Sequence, residues 1–132
     1  MARPSVPSAA ACAAVLVLVK LGLVTGGFGR AFALAGRLVR ARPALAAPQD
    51  LIAGTARRLA LVAAFFPGRA LCLEQSFTLW LLLRRRGIEA QLRLGVQPYP
   101  FGAHAWVEHG GTPVNEDPER VRSFVIMPEL AR

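Results

Sequence analysis

The sequence predicts an α+β domain in which N-terminal helices precede a small antiparallel sheet and a cysteine opens one of the helices. Three observations carry this reading. The chain has 132 residues, 54% of them hydrophobic and only 18% charged, which suits one packed core and excludes a disordered polar chain. Apolar residues recur at helical spacing as far as the Arg84-Arg85-Arg86 run, then alternate from Ile88 onward. Gly110-Gly111 lies between two short extended stretches and marks a hairpin.

The first elements are one or two helices over residues 9–24 and 30–42, broken at Gly26-Gly27 and ended by Pro43. The apolar run 9–19 after Arg3, with small residues near position 33, imitates a secretory signal. Lys20 and the glycines interrupt it, whereas a membrane span takes about 20 uninterrupted apolar residues. The expectation is therefore a cytoplasmic protein with no membrane span. Residues 1–49 form an apolar, basic helical segment, and residues 50–132 form the functional core. The net charge is +8. Arg3, Lys20, Arg30, Arg37, Arg40 and Arg42 stand in the first segment without an acid. Nucleic acid is excluded as a partner, because the arginines are scattered along apolar helices with no interleaved aromatics for base stacking.

Asp50 is the expected N-cap of a helix reaching about Phe66, with Leu51, Ile52, Thr55, Leu59 and Val62 inward and Pro67-Gly68 as its stop. The next helix starts close to Cys72. Leu73, Phe77, Trp80, Leu81 and Leu83 give it a wide buried face, the three arginines occupy its C-terminus, and Gly87 caps it. Ile88, Ala90, Leu92, Leu94 and Val96 then alternate with Glu89, Gln91, Arg93 and Gly95 as a half-buried strand. Pro98-Tyr99-Pro100 forms a loop, residues 103–109 and 112–117 form the hairpin, and a last strand covers 121–127.

Few residues are available for chemistry. Cys12 and Cys72 cannot build a disulfide framework, which fits a reducing compartment. The cysteines and histidines lack zinc-site spacing, and Gly26-Gly27-Phe28-Gly29 lacks the context of a phosphate loop, so no metal or cofactor is expected. Cys72 stands out, because unpaired N–H groups at a helix start stabilise a thiolate and an oxyanion; the bland alternative is an inert buried cysteine. Glu74 and Gln75 follow it, as cleft lining or as partners of the helix dipole. His104 falls near the start of the first hairpin strand, where it can act as base; His109, beside the turn, reads as exposed and passive. If Gly110-Gly111 is a two-residue loop, His104 lies opposite Asp117. A three-residue loop puts it opposite Glu116. Either register sets a carboxylate beside the ring, and Asn115 is a further candidate to orient it.

These residues carry a family resemblance. The stretches 67–73 (PGRALCL), 80–88 (WLLLRRRGI), 94–96 (LGV), 101–108 (FGAHAWVE) and 113–116 (PVNE) resemble the transglutaminase-like leader peptidases of lasso-peptide biosynthesis, over about residues 50–130. The resemblance implies a papain-like or transglutaminase-like fold and a Cys-His-Asp triad that cleaves the leader from a ribosomally made precursor through a thioester. It makes Cys72 the nucleophile and His104 the base. Glu116 stands where the family has Asp, so the acid is Glu116 or, by a register change, Asp117. Implied partners are the precursor leader, a separate leader-recognition protein and an ATP-dependent cyclase; no recognition domain is visible in this chain, which reads as the stand-alone peptidase form. Two other functions fit the same residues: a non-catalytic module that docks peptide or membrane through residues 9–42, and an acyl transfer to an amine in place of water.

Overall fold

A computed structural model describes residues 6–40, 49–65, 72–98 and 101–126. Pro43, Pro67-Gly68, Tyr99-Pro100 and Met127, to which the sequence assigns helix stops, a loop and a strand end, lie outside the described residues. Helix α1 (Ala9–Arg40) is helical throughout except at Gly27, whose φ of 77° and ψ of 171° take the chain out of the helix. The bend is sharp. A Cβ placed on Gly22 lies 3.9 Å from that of Ala31, whereas nine residues of straight helix would set them about 13 Å apart. The break expected at the glycines is thus a fold-back of one arm, residues 9–26, against the other, residues 28–40.

Both arms enter one core. Cys12 and Val19 from the first arm and Ala35 and Val39 from the second pack with Leu51, Ile52 and Leu59 of α2 (Gln49–Ala64) and with Phe77, Trp80 and Leu83 of α3 (Cys72–Arg85). Phe32 stacks on Trp80 at 5.0 Å between centroids, Phe28 stacks on Phe32, and Phe77 meets all three rings edge-on. Residues 1–49, so far as they are described, supply a layer of the same core as the rest of the chain. Arg58 ties the layer further by donating to the Pro7 carbonyl at 3.0 Å.

Helix α3 is buried more widely than the predicted face, since Ser76, Thr78, Leu79 and Leu82 are inside as well. It runs between the α1/α2 layer and the sheet, so two of its faces meet protein. Thr78 is accommodated there because its hydroxyl donates to the Glu74 carbonyl one turn back. Gly87 takes the positive φ expected of a helix C-cap.

The sheet has the order β3-β2-β1-β4, with β1 Gln91–Pro98, β2 Phe101–His109, β3 Thr112–Pro113 and β4 Val125–Ile126, all neighbours antiparallel. His109 pairs with Thr112, and Gly110 and Gly111 both have positive φ, the two-residue hairpin turn. The strand expected over 112–117 nevertheless ends at Pro113, and a short helix, α4 (Pro118–Val121), replaces the start of the expected last strand. Both changes have local causes. Pro113 has no N–H to continue a ladder. Asp117 accepts from the Glu119 amide and Pro118 sits at the first helical position, a preferred helix start.

Candidate active site

Cys72 is the first residue of α3 and is exposed. Cys12, by contrast, is fully buried, and burial pushes its thiol above the ordinary range, so the two thiols have opposite surroundings. The sheet fixes where the Cys72 end of the helix points. Ile88 N–H donates to the Leu83 carbonyl, and β1 then runs back with Gln91 opposite Glu108 and Pro98 opposite Phe101. The C-terminus of α3 therefore lies by the end of β2, and its N-terminus lies toward the start of β2.

One polar junction joins the helix to the strand. The Ser76 hydroxyl donates to the Ala105 carbonyl at 2.9 Å and accepts from Asn115 Nδ2 at 3.1 Å, while Asn115 Oδ1 accepts from the Val107 amide at 2.9 Å. Val114 N–H reaches the Val107 carbonyl at 2.8 Å. Where β3 stops, the side chains of Asn115 and Ser76 take over the edge of β2. Cys72 stands one turn before Ser76, about 6 Å along the axis at 1.5 Å per residue. His104 stands one residue before Ala105, about 3.4 Å along the strand. The two steps run in the same direction.

His104 Nε2 is hydrogen-bonded to Glu116 Oε2, and both side chains are mostly buried. The other oxygen of Glu116 accepts from the Asp117 amide at 3.1 Å and lies 3.8 Å from Arg120. Asp117 instead spends its carboxylate on capping α4. The hairpin has the two-residue loop that would place Asp117 opposite His104, but the ladder ends too early for that count to hold, and it is Glu116 that reaches the ring. Asn115 binds the strand edge and Ser76. With Nε2 engaged by a carboxylate, Nδ1 is the ring nitrogen left to exchange a proton.

A second set of groups holds the imidazole from the other side. Trp106 stacks on His104 at 6.1 Å and 27°, and Phe124 lies 5.7 Å from the same ring. Trp106 is fully buried, and its indole N–H donates to Glu108, whose other oxygen accepts from Arg93 Nε. The alternation that made Gly95 an outward position has another meaning here. A Cβ on Gly95 would fall 2.7 Å from Phe124 Cβ and from Trp106 Cη2, so the glycine makes room for the aromatic wall. Sequence reading passed over Ser76, Trp106 and Glu108 as site-supporting residues; a tryptophan and an acid two apart on the strand face of His104 were the available signal. Glu74 is buried with Lys20 at 3.7 Å, and His109 is half-buried and pairs through Nδ1 with the Glu89 carbonyl, so neither reads as an idle surface group.

Residues 15–129 match the family model of the transglutaminase-like superfamily. The chain belongs to that superfamily. As a transglutaminase-like protein it has the α+β architecture read from its sequence, with helices ahead of a small antiparallel sheet. It is 37% identical over 59 residues to the microcin J25-processing protein McjB of Escherichia coli, across 45% of this chain and 28% of that protein. This transglutaminase-like chain thus spans less than a third of its relative's length in the match. No solved structure matches it.

Proposed function

We propose that this transglutaminase-like protein is a cysteine peptidase that removes the leader from a ribosomally made lasso-peptide precursor. The carrying observation is the pairing of His104 with Glu116 on the stretch of β2 that Ser76 ties to the Cys72 helix. The similarity to a microcin-processing protein supports the substrate class. In this reading His104 Nδ1 takes the Cys72 proton, and the thiolate attacks the scissile carbonyl while N–H groups at the start of α3 hold the oxyanion. The C–N bond breaks, the core peptide leaves as an amine with the proton from His104, and the leader stays as a thioester on Cys72. Water then gives its proton to His104 and releases the leader as a carboxylate, restoring the thiol. Glu116 holds the ring and stabilises imidazolium. A separate recognition protein would present the leader, an ATP-dependent cyclase would take the core peptide, and the work would be cytoplasmic.

The test is cleavage of the cognate precursor by Cys72→Ala and His104→Ala proteins with native circular dichroism. Loss of cleavage in both is expected; cleavage retained by Cys72→Ala overturns the mechanism. Iodoacetamide should alkylate Cys72 near neutral pH faster than a small free thiol and leave Cys12 untouched. Alkylation no faster than the small thiol, with intact precursor, points instead to a binding module. The mass of the released acyl fragment separates hydrolysis from transfer to an amine.

A further inference from the structure

The proposed chemistry leaves the outer face of α1 unexplained. In its first arm Ala10, Ala14, Val17, Leu18, Leu21 and Val24 are three or four residues apart along one side, opposite the buried Cys12, Leu16 and Val19. Apart from Thr25, whose hydroxyl donates to the Leu21 carbonyl, the exposed positions along that side are aliphatic. Leu18 is 67% and Val24 76% exposed, a degree of contiguous apolar exposure that marks a contact surface. Beyond the bend the exposed side carries Leu34 and Leu38 together with Arg30 and Arg37. The charge is distributed to match. Residues 1–73 hold nine Lys and Arg against the single acid Asp50, and residues 74–132 hold seven of each sign. All of the +8 charge therefore belongs to residues 1–73.

We infer that the outer face of α1 lies in the plane of an anionic lipid surface, with the aliphatic stripe among the acyl chains and Arg30 and Arg37 at the headgroups. The positive charge of Arg30 and Arg37 on the exposed side of the second arm complements such a surface. The aliphatic character also favours lipid over a protein partner, because protein interfaces are enriched in aromatic residues and Phe28 and Phe32 of this helix turn inward onto Phe77. By length and composition residues 9–39 are apolar enough to cross a membrane. The bend at Gly27 and the burial of both inner faces in the protein core keep them lying on the surface. This placement stands independently of the peptidase reading.

The test is flotation of the full-length protein with vesicles of phosphatidylcholine mixed with phosphatidylglycerol, and with phosphatidylcholine alone. The protein should float with the anionic vesicles only and be released by high salt. L18Q/L21Q/V24Q, all exposed positions that leave circular dichroism native, should lower partitioning about a hundredfold or more. R30Q/R37Q should lower it about thirtyfold. Cys72→Ala should float like the wild type, which separates this result from the fate of the catalytic reading. Equal binding to both vesicles, or binding to neither, overturns the proposal. So does resistance to alkaline carbonate extraction, which would mean a span. A dimer or a protein complex that the triple variant loses, without vesicle binding, overturns it in favour of a protein interface.

Discussion

The helical layer and the site-bearing half are held together by different means. Between the arms of α1, α2 and the inner side of α3 the contacts are aliphatic and aromatic, with cross-links such as Arg58 to the Pro7 carbonyl and Lys20 to Glu74 at the margins. Around His104 the groups are polar and mutually satisfied: buried Ser76, Glu108 and Trp106, partly buried Glu116 and exposed Asn115 each have named partners. Apolar burial is non-directional and tolerates repacking. Hydrogen bonds have short ranges and preferred angles, so they can set the position of a reacting atom. The difference teaches that stability in this chain is spread over the helices while geometry is concentrated at the edge of β2.

That contrast can be broken or sharpened by mutation. The largest effect is expected from His104→Ala, which should lower precursor cleavage on the order of ten-thousandfold and, by leaving Glu116 without its ring partner, cost about 1–3 kcal/mol by urea unfolding. Trp106→Ala should cost about 3–5 kcal/mol by urea unfolding and remove activity too, whereas Leu16→Ala, about 2–5 kcal/mol, should leave the folded fraction active. Equal activity losses in these two would erase the contrast. Asn115→Ala leaves the Val107 amide and the Ser76 hydroxyl short of a partner, so about 1–3 kcal/mol is expected, with a fall in cleavage measurable below the unfolding temperature. Glu116→Gln should reduce cleavage about a hundredfold. Asp117→Ala should cost about 1 kcal/mol through the lost cap and leave cleavage unchanged; the reverse result for this pair would reassign the acid.

Much of this was legible in the chain. Cys72 at a helix start, Gly87 as its cap, the break near Gly26-Gly27 and the Gly110-Gly111 turn all follow from local rules of backbone conformation, whereas the fold-back of the two arms at that break does not. The acid beside His104 was not decided by those rules. Counting residues outward from the turn assumes an unbroken ladder, and the ladder is broken at Pro113. The signal for the break was present, since Asp117-Pro118-Glu119 is a helix start as much as an acidic turn. Burial of Ser76, Thr78 and Glu74 was not legible, because it depends on α3 having protein on two sides, a property of assembly and not of periodicity.

The edge of β2 has a consequence for how the protein behaves at high concentration. An open strand edge offers unpaired amides and carbonyls to the next chain and is a common start of aggregation. Here the Ala105 carbonyl and the Val107 amide, left by the early end of β3, are claimed by Ser76 and Asn115. The same two side chains therefore guard colloidal stability as well as the orientation of the site. Asn115→Ala and Ser76→Ala proteins should accordingly leave a smaller soluble fraction at high concentration, read by light scattering, alongside the fall in cleavage of the protein that stays in solution.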